Sequence, residues 1–497
     1  MTKWKELLYL LKQAAIYGHT SSLLAWDVQT YMPKDAGPGR DGIFAFMATK
    51  TAEKLQNPRV GDILAELADD AELDQNQRRF IARMTDICQR TRAVPLGLVR
   101  ALAEATSRAE REWRKARKTS SFAMFLPHLI EVFSLVRAKA DAIGFSDHPY
   151  DALLPDFEPG MTAKMAKETL LPLRQPLSEL VRLIGSKPAP EHAFLKGYFP
   201  PERQLLLAGI VARRCGFDFD QGRLDQVPGH PMTITTGPKD TRITTRLFPQ
   251  EMSPGLFAAI HETGHALYCQ GMDSLFDWVF LDTGLSMAIH ESQSRMFENI
   301  VGRSLPFWKF FFPTLQAMFA PSFDDVSAEQ LWKAVNVVKP SLIRIEADEA
   351  TYNLHILLRM ELEMAMLDRS LNPADLPEAW NAKMEEYLGI RPDNDANGCM
   401  QDIHWSHGYC GYFPTYALGN LLSAQLWATI EQEIPGLADE IARGNLGSLL
   451  EWLRKNVHQW GPVYTLPELT QQVTGQPLNP EIWLAYINNK YAQVYDL

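Results

Sequence analysis

The sequence predicts a mostly α-helical fold, one large domain over residues 1–497 with a small sheet at about 230–250. Three observations carry this. Helix-forming, 3.6-periodic text fills the first half of the chain. A single interval from Arg223, RLDQVPGHPMTITTGPKDTRITTRLFPQ, is rich in Thr, Gly and Pro. After Pro254 the helical pattern resumes and continues nearly to the end. No internal repeat, low-complexity linker or shift of composition marks a second domain, and 46% hydrophobic content suffices for a large core.

The first segment, MTKWKELLYLLKQAAIYG, reads as an amphipathic helix. Lys3 and Lys5 mimic the basic start of a leader, but the apolar run breaks at Lys12 and no small-residue cleavage site follows. No apolar run approaches the ~18 residues of a membrane span. A soluble, cytoplasmic protein is expected. In NQRRFIARMTDICQR, Phe80, Met84 and Ile87 fall on one helical stripe. In ALAEATSRAEREWRKARK, Arg108, Arg111, Arg114, Arg117 and Lys118 form a basic face, read as a solvated surface balanced by carboxylates. TITT and TRITTRLF read as two β-branched strands around a Gly237-Pro238 turn.

The net charge of −11 argues against nucleic acid and anionic membranes as partners. The cysteines, Cys88, Cys215, Cys269, Cys399 and Cys410, are odd in number and lack C-x-x-C spacing. Reduced thiols in a reducing compartment are expected.

The chemistry begins at AAIHETGHALYCQG. Ser253 is expected to cap a helix of about four turns that has Pro254 in its first position and stops at Gly271. His261 and His265, four residues apart, project from one face of it. Both imidazoles can then reach one cation at about 2 Å. Glu262 lies ~100° around the helix, where it can reach water rather than the same metal. The bland alternative is an ordinary helix with two hydrogen-bonded histidines. A third ligand would decide, because a catalytic zinc keeps three protein ligands and an open position. Downstream, the helical stretch LDTGLSMAIHESQSRMFENI offers Glu291. Glu298, seven residues on, falls on the same face and could orient a ligating histidine. His290 is expected to point ~100° away.

These motifs, with AWDVQTYMP (25–33), DHPYDALLPDFEPG (147–160), DTRIT (240–244), HESQ (290–293), IRIEAD (343–348) and QDIHWSHGYCGYFPTYALGN (401–420), resemble the carboxypeptidase Taq family of metallocarboxypeptidases across almost the whole chain. The resemblance implies a two-lobed helical fold with a deep substrate groove, similar to neurolysin and angiotensin-converting enzyme. It implies removal of single residues from peptides with a free C-terminus, one divalent ion per chain (Zn2+ or Co2+), and a homodimer. It also implies His261, His265 and Glu291 as metal ligands and Glu262 as the general base. His404 and Tyr416 become the donors to the developing oxyanion, with Tyr412 a close alternative. The chain departs from the family at His230-Pro231-Met232, where H-P-F is usual, and at His407, Tyr409 and Cys410, where small residues are usual.

A carboxypeptidase must read a terminal carboxylate, and arginine's planar fork suits this. Arg344 is expected on a helix after Pro340, among Leu342, Ile343 and Ile345. Its partner is either Asp348 at i+4 or a substrate, the resemblance pointing to substrate. Arg242, on the strand before the histidine helix, competes for the role. His230 reads as a structural loop residue. An oligopeptidase (endopeptidase) on the same scaffold is the alternative function, and a helical scaffold with a decorative H-E-x-x-H is the alternative of another class.

Overall fold

The computed structural model describes residues 2–279, 284–461 and 463–497. α-Helices dominate, beginning with Lys3–Thr30. The first part of the chain stacks Gln75–Ala93, Leu96–Thr119 and Phe122–Ile143. The helix Gln75–Ala93 opens with a capping box of Asp74 and Gln77. It buries Phe80 and Met84 as expected, with Ile81 and Cys88, while Ile87 is only partly covered. On the basic face of Leu96–Thr119 three of the five cations are paired: Arg108 meets Glu131, Arg111 meets Asp41 and Arg114 meets Glu110.

The sheet has three strands rather than two. β1 (Gly222–Gln226), β2 (Thr233–Thr235) and β3 (Thr241–Thr245) run in the order β1-β3-β2. β2 pairs with β3 antiparallel, around the expected turn, and β1 pairs with β3 parallel. GRLDQ carries no β-branched residue, so β1 exists through its pairing rather than its propensity. The turn is tied by Thr236 Oγ1 donating to Asp240 Oδ2 at 2.6 Å. β3 packs against the histidine helix, and Thr245 Oγ1 donates to the Gly255 carbonyl at 2.6 Å. The sheet thereby fixes one side of the site.

One hydrophobic cluster runs from Leu7 to Tyr495. Cys88, Cys215, Cys399 and Cys410 are buried, and no disulfide forms among the described residues. Among them, too, no helix is long and apolar enough to cross a membrane.

Candidate active site

The histidine helix spans Ser253–Gln270, five turns instead of four. Met252 occupies the cap position and Pro254 the second helical position, so the expected start is displaced by one residue. Gly271 ends it as read. The rings of His261 and His265 lie 4.8 Å apart at 83°. Across from them runs Met287–Arg295, which carries Glu291; the 281–283 part of the predicted segment lies outside the described residues. Glu291 Oε2 is 3.7 Å from His261 Nε2 and 3.3 Å from His265 Nε2. One donor atom from each of the three residues lies within 4.8 Å of the others.

The two helices meet this closely because of glycine. A Cβ on Gly264 would sit 2.5 Å from the Gln293 carbonyl oxygen and 2.6 Å from Ser294 Cα. A Cβ on Gly419 would lie 2.7 Å from the Glu291 side chain. A larger residue at 264 would push the histidine helix off Met287–Arg295, and one at 419 would push the helix Phe413–Glu433 off Glu291.

A ring of partners orients the three donors. Glu298 Oε2 accepts from His261 Nδ1 at 2.9 Å, as the spacing suggested. It does so from a π-helical turn, Met296–Val301, rather than from a continuous α-helix. Arg295 donates to Glu291 Oε1 at 2.6 Å and to Glu298 Oε2 at 3.2 Å, with its guanidinium over the Tyr352 ring. Burial pushes Glu291 and Glu298 up, but Arg295 and the histidines outweigh it and hold both carboxyls well below their ordinary range. His290 does not point away: its Nδ1 is 2.5 Å from His265 Nδ1. Burial beside His265 holds its pKa far below the ordinary value, so it stays neutral. Carboxylates behind ligating histidines typically contribute 10–100-fold in metal affinity. Glu298→Ala is therefore expected to weaken divalent-metal binding by about 10–100-fold in chelator competition.

Glu262 is 4% exposed. Thr233 Oγ1 contacts its Oε2 at 2.6 Å and its main-chain carbonyl at 3.0 Å. Thr233 was not anticipated, although it opens the TITT strand adjoining this helix.

The segment 404–420 lies alongside. His404 Nε2 is 3.2 Å from the Tyr416 hydroxyl, and the Tyr412 and Tyr416 rings are 5.2 Å apart. Burial, reinforced by the charge of Arg344, lowers the His404 pKa to about 3, so the imidazole is neutral. Burial raises both phenols, which stay protonated donors. Glu363 anchors the segment from below, accepting from Tyr150 Oη at 3.0 Å and Gly411 N at 3.2 Å. Burial outweighs these bonds and raises its pKa to about 8. The folded state then binds a proton that the unfolded state releases near pH 4.5. This stabilisation is complete below about 4.5 and is lost as pH rises toward 8. Glu363→Gln is expected to flatten the fall of Tm over that window.

Arg344 sits in a 3-10 turn, Arg344–Glu346, not in the predicted helix. Asp348 is not its partner; it caps the next helix, accepting from Ala350 and Thr351 N at 3.0 Å. Arg344 Nε donates to Asp402 Oδ1 at 2.9 Å and Nη1 to Tyr352 Oη at 2.8 Å. Arg359, fully buried, donates to Asp402 Oδ2 at 2.6 Å. Two guanidiniums thus share one carboxylate, leaving positive charge in excess where an anion would be held. The guanidinium of Arg344 lies 4.8 Å from the Tyr416 ring centre. Arg242 is committed elsewhere: it forks onto Asp240 at 2.9 and 2.8 Å and lies over the Trp26 ring. His230 sits in the loop before β2, its Nδ1 2.5 Å from the Pro231 carbonyl oxygen.

Two histidines and a carboxylate converging from two helices, with a buried glutamate beside them, define a metal-dependent hydrolase. The chain belongs to the carboxypeptidase Taq (M32) metallopeptidase family, whose model matches residues 6–491. It is a metallocarboxypeptidase, a peptide hydrolase. It is 40% identical to thermostable carboxypeptidase 1 of Thermus thermophilus over 99% of both chains. It is 34% identical to carboxypeptidase 1 of Bacillus subtilis over 99% of this chain and 98% of that one. The crystal structure of the M32 carboxypeptidase from Deinococcus radiodurans superposes with a TM-score of 0.96, at 35% identity and full coverage of both chains.

Proposed function

We propose that His261, His265 and Glu291 hold one divalent ion, zinc or cobalt, and that Glu262 is the general base of C-terminal peptide hydrolysis. The convergence of these three donors, each backed by its own partner, carries the reading. The set fits the ion: two imidazoles and one ionised carboxylate are a ligand combination known for catalytic zinc. When bound, a divalent ion lowers the pKa of water from about 15.7 toward 7 and polarises the scissile carbonyl.

The chain's own groups supply the rest. Glu262 takes the proton of the attacking water and returns it to the leaving nitrogen. Thr233 donates to one oxygen of that carboxylate and leaves the other for water. Tyr416, with Tyr412 as alternative, donates to the developing oxyanion. Neutral His404, whose Nε2 lies 3.2 Å from the Tyr416 hydroxyl, is the second donor of this group. Arg344 grips the terminal carboxylate, preorganised by Asp402 and Tyr352. Arg242 is the lesser candidate, because Asp240 already occupies its fork.

Residues 1–497 form one catalytic domain in this reading, its two lobes flanking a groove. It acts in the cytoplasm as a homodimer on peptides with free C-termini. The test is incubation of one free-ended and one amidated peptide, with and without chelator, read by mass spectrometry. Cleavage of the free-ended peptide alone, abolished by chelator, is expected. Internal cleavage of the amidated peptide would establish the endopeptidase instead.

A further inference from the structure

Beyond Tyr416 and Tyr412 the aromatic wall continues, and the mechanism does not use the continuation. Tyr409 stacks on Tyr412 with ring centres 6.1 Å apart at 25°. Phe157 meets both edge-on, at 5.9 Å from Tyr409 and 5.1 Å from Tyr412. His407 closes the row 5.3 Å from Tyr409, paired with Glu110 at 3.2 Å.

The wall is rigid and open at once. The Phe157 carbonyl accepts from Met287 N at 2.9 Å, which ties it to the first residue of the helix carrying Glu291. Tyr409 N donates to the His404 carbonyl at 3.0 Å, which ties it to the segment of the oxyanion donors. Yet Tyr409 remains 44% exposed. A large aromatic ring, held from behind and bare in front, offers area at little entropic cost to anything that stacks on it.

Direction follows from the anchor. Arg344 stands against Tyr416, at one end of the wall. Tyr412 is next, its ring centre 5.2 Å from that of Tyr416. Tyr409 and Phe157 come after. A peptide held by its carboxylate at Arg344 and crossing the ligands at its last peptide bond must continue toward Tyr409. An extended chain advances about 3.3 Å per residue, so the 6.1 Å from Tyr412 to Tyr409 corresponds to about two residues.

We propose that Phe157, Tyr409 and Tyr412 form an aromatic subsite that selects a planar side chain within the three residues upstream of the scissile bond. Glu110 at the far end is held by Arg114 as well as His407, which leaves little free charge there, so stacking rather than charge sets the preference. The inference rests on the carboxypeptidase reading with Arg344 as the anchor.

The test is competition among N-blocked, free-ended peptides sharing one C-terminal residue. Phe, Ala or Lys is placed in turn at each of the three preceding positions, and relative kcat/KM is read by mass spectrometry. Phe is expected to exceed Ala by about three- to tenfold at one of these positions, as a pair of stacked rings provides. In Tyr409→Ala and Tyr409→Leu that ratio falls to near one, and in Tyr409→Phe it persists. A ratio near one at all three positions in the parent enzyme, or one unmoved by Tyr409→Leu, overturns the subsite. A preference for Lys over Phe overturns stacking in favour of Glu110. A companion set varying only the C-terminal residue is expected to keep its preferences in Tyr409→Leu; a change there would place the ring against the leaving residue and overturn the assignment. Failure to release C-terminal residues from any peptide would instead remove the carboxypeptidase reading itself.

Discussion

Glu262→Gln is expected to lower kcat/KM by about 10²–10⁴-fold, the usual contribution of a positioned general base, and to leave the bound metal content unchanged. The reasoning is geometric. Glu262 projects from the ligand helix but is not among the three converging donors, so its loss does not open the metal set. Its carboxylate is held by Thr233 Oγ1 at 2.6 Å. Glutamine keeps the length and can still accept from Thr233 through its carbonyl, but it has no second carboxylate oxygen to take a proton. Steady-state kinetics with metal analysis on the same preparation checks this. Full activity in a metal-replete Glu262→Gln protein would remove the residue from the chemistry. Thr233→Val is a graded companion: it unties one oxygen without removing the base, so its loss should be smaller and appear mainly in kcat.

What was legible beforehand divides by sequence distance. His261 and His265 share a face because four residues make about one turn, and Glu298 was reachable from Glu291 by the same counting. Such relations are local, and the helix period exposes them. Thr233 and Glu262 are 29 residues apart, and Arg344 and Asp402 are 58 apart. No period links them, and only the folded packing of strand on helix brings them together. Asp348 illustrates the error this invites. It stands four residues from Arg344, the right interval for a helical ion pair, but it is the cap of the next helix, and the chain between them is a 3-10 turn and an extended residue rather than an α-helix. β1 escaped notice for a related reason, because a strand made by parallel pairing to β3 needs no β-branched composition of its own. Arg295, by contrast, lies at i+4 from Glu291 and was within reach of the counting that found Glu298.

Arg344→Met is expected to lower kcat/KM for free-ended peptides by about 10²–10³-fold, in keeping with the 2–5 kcal/mol lost when one partner of a buried charged pair is removed. It is also expected to bring the amidated peptide to near parity with the free one. Arg344 is 3% exposed and lies between Asp402, Tyr352 and the Tyr416 ring. Its Nε is taken by Asp402, but each terminal nitrogen carries a second hydrogen for an incoming carboxylate. Methionine retains much of the stem's volume. Asp402 keeps Arg359 at 2.6 Å, so the variant does not strand an unpaired buried carboxylate and should fold. Lysine should rescue poorly, since a point charge cannot reproduce the fork to Asp402 and to substrate together. Arg242→Met provides the contrast. Its guanidinium is spent on Asp240 and the Trp26 ring, so the preference for a free C-terminus should survive there even if the turn is loosened. The reverse pattern, preference lost with Arg242 and kept without Arg344, would move the carboxylate site to the sheet and reverse the direction in which the peptide crosses the metal ligands.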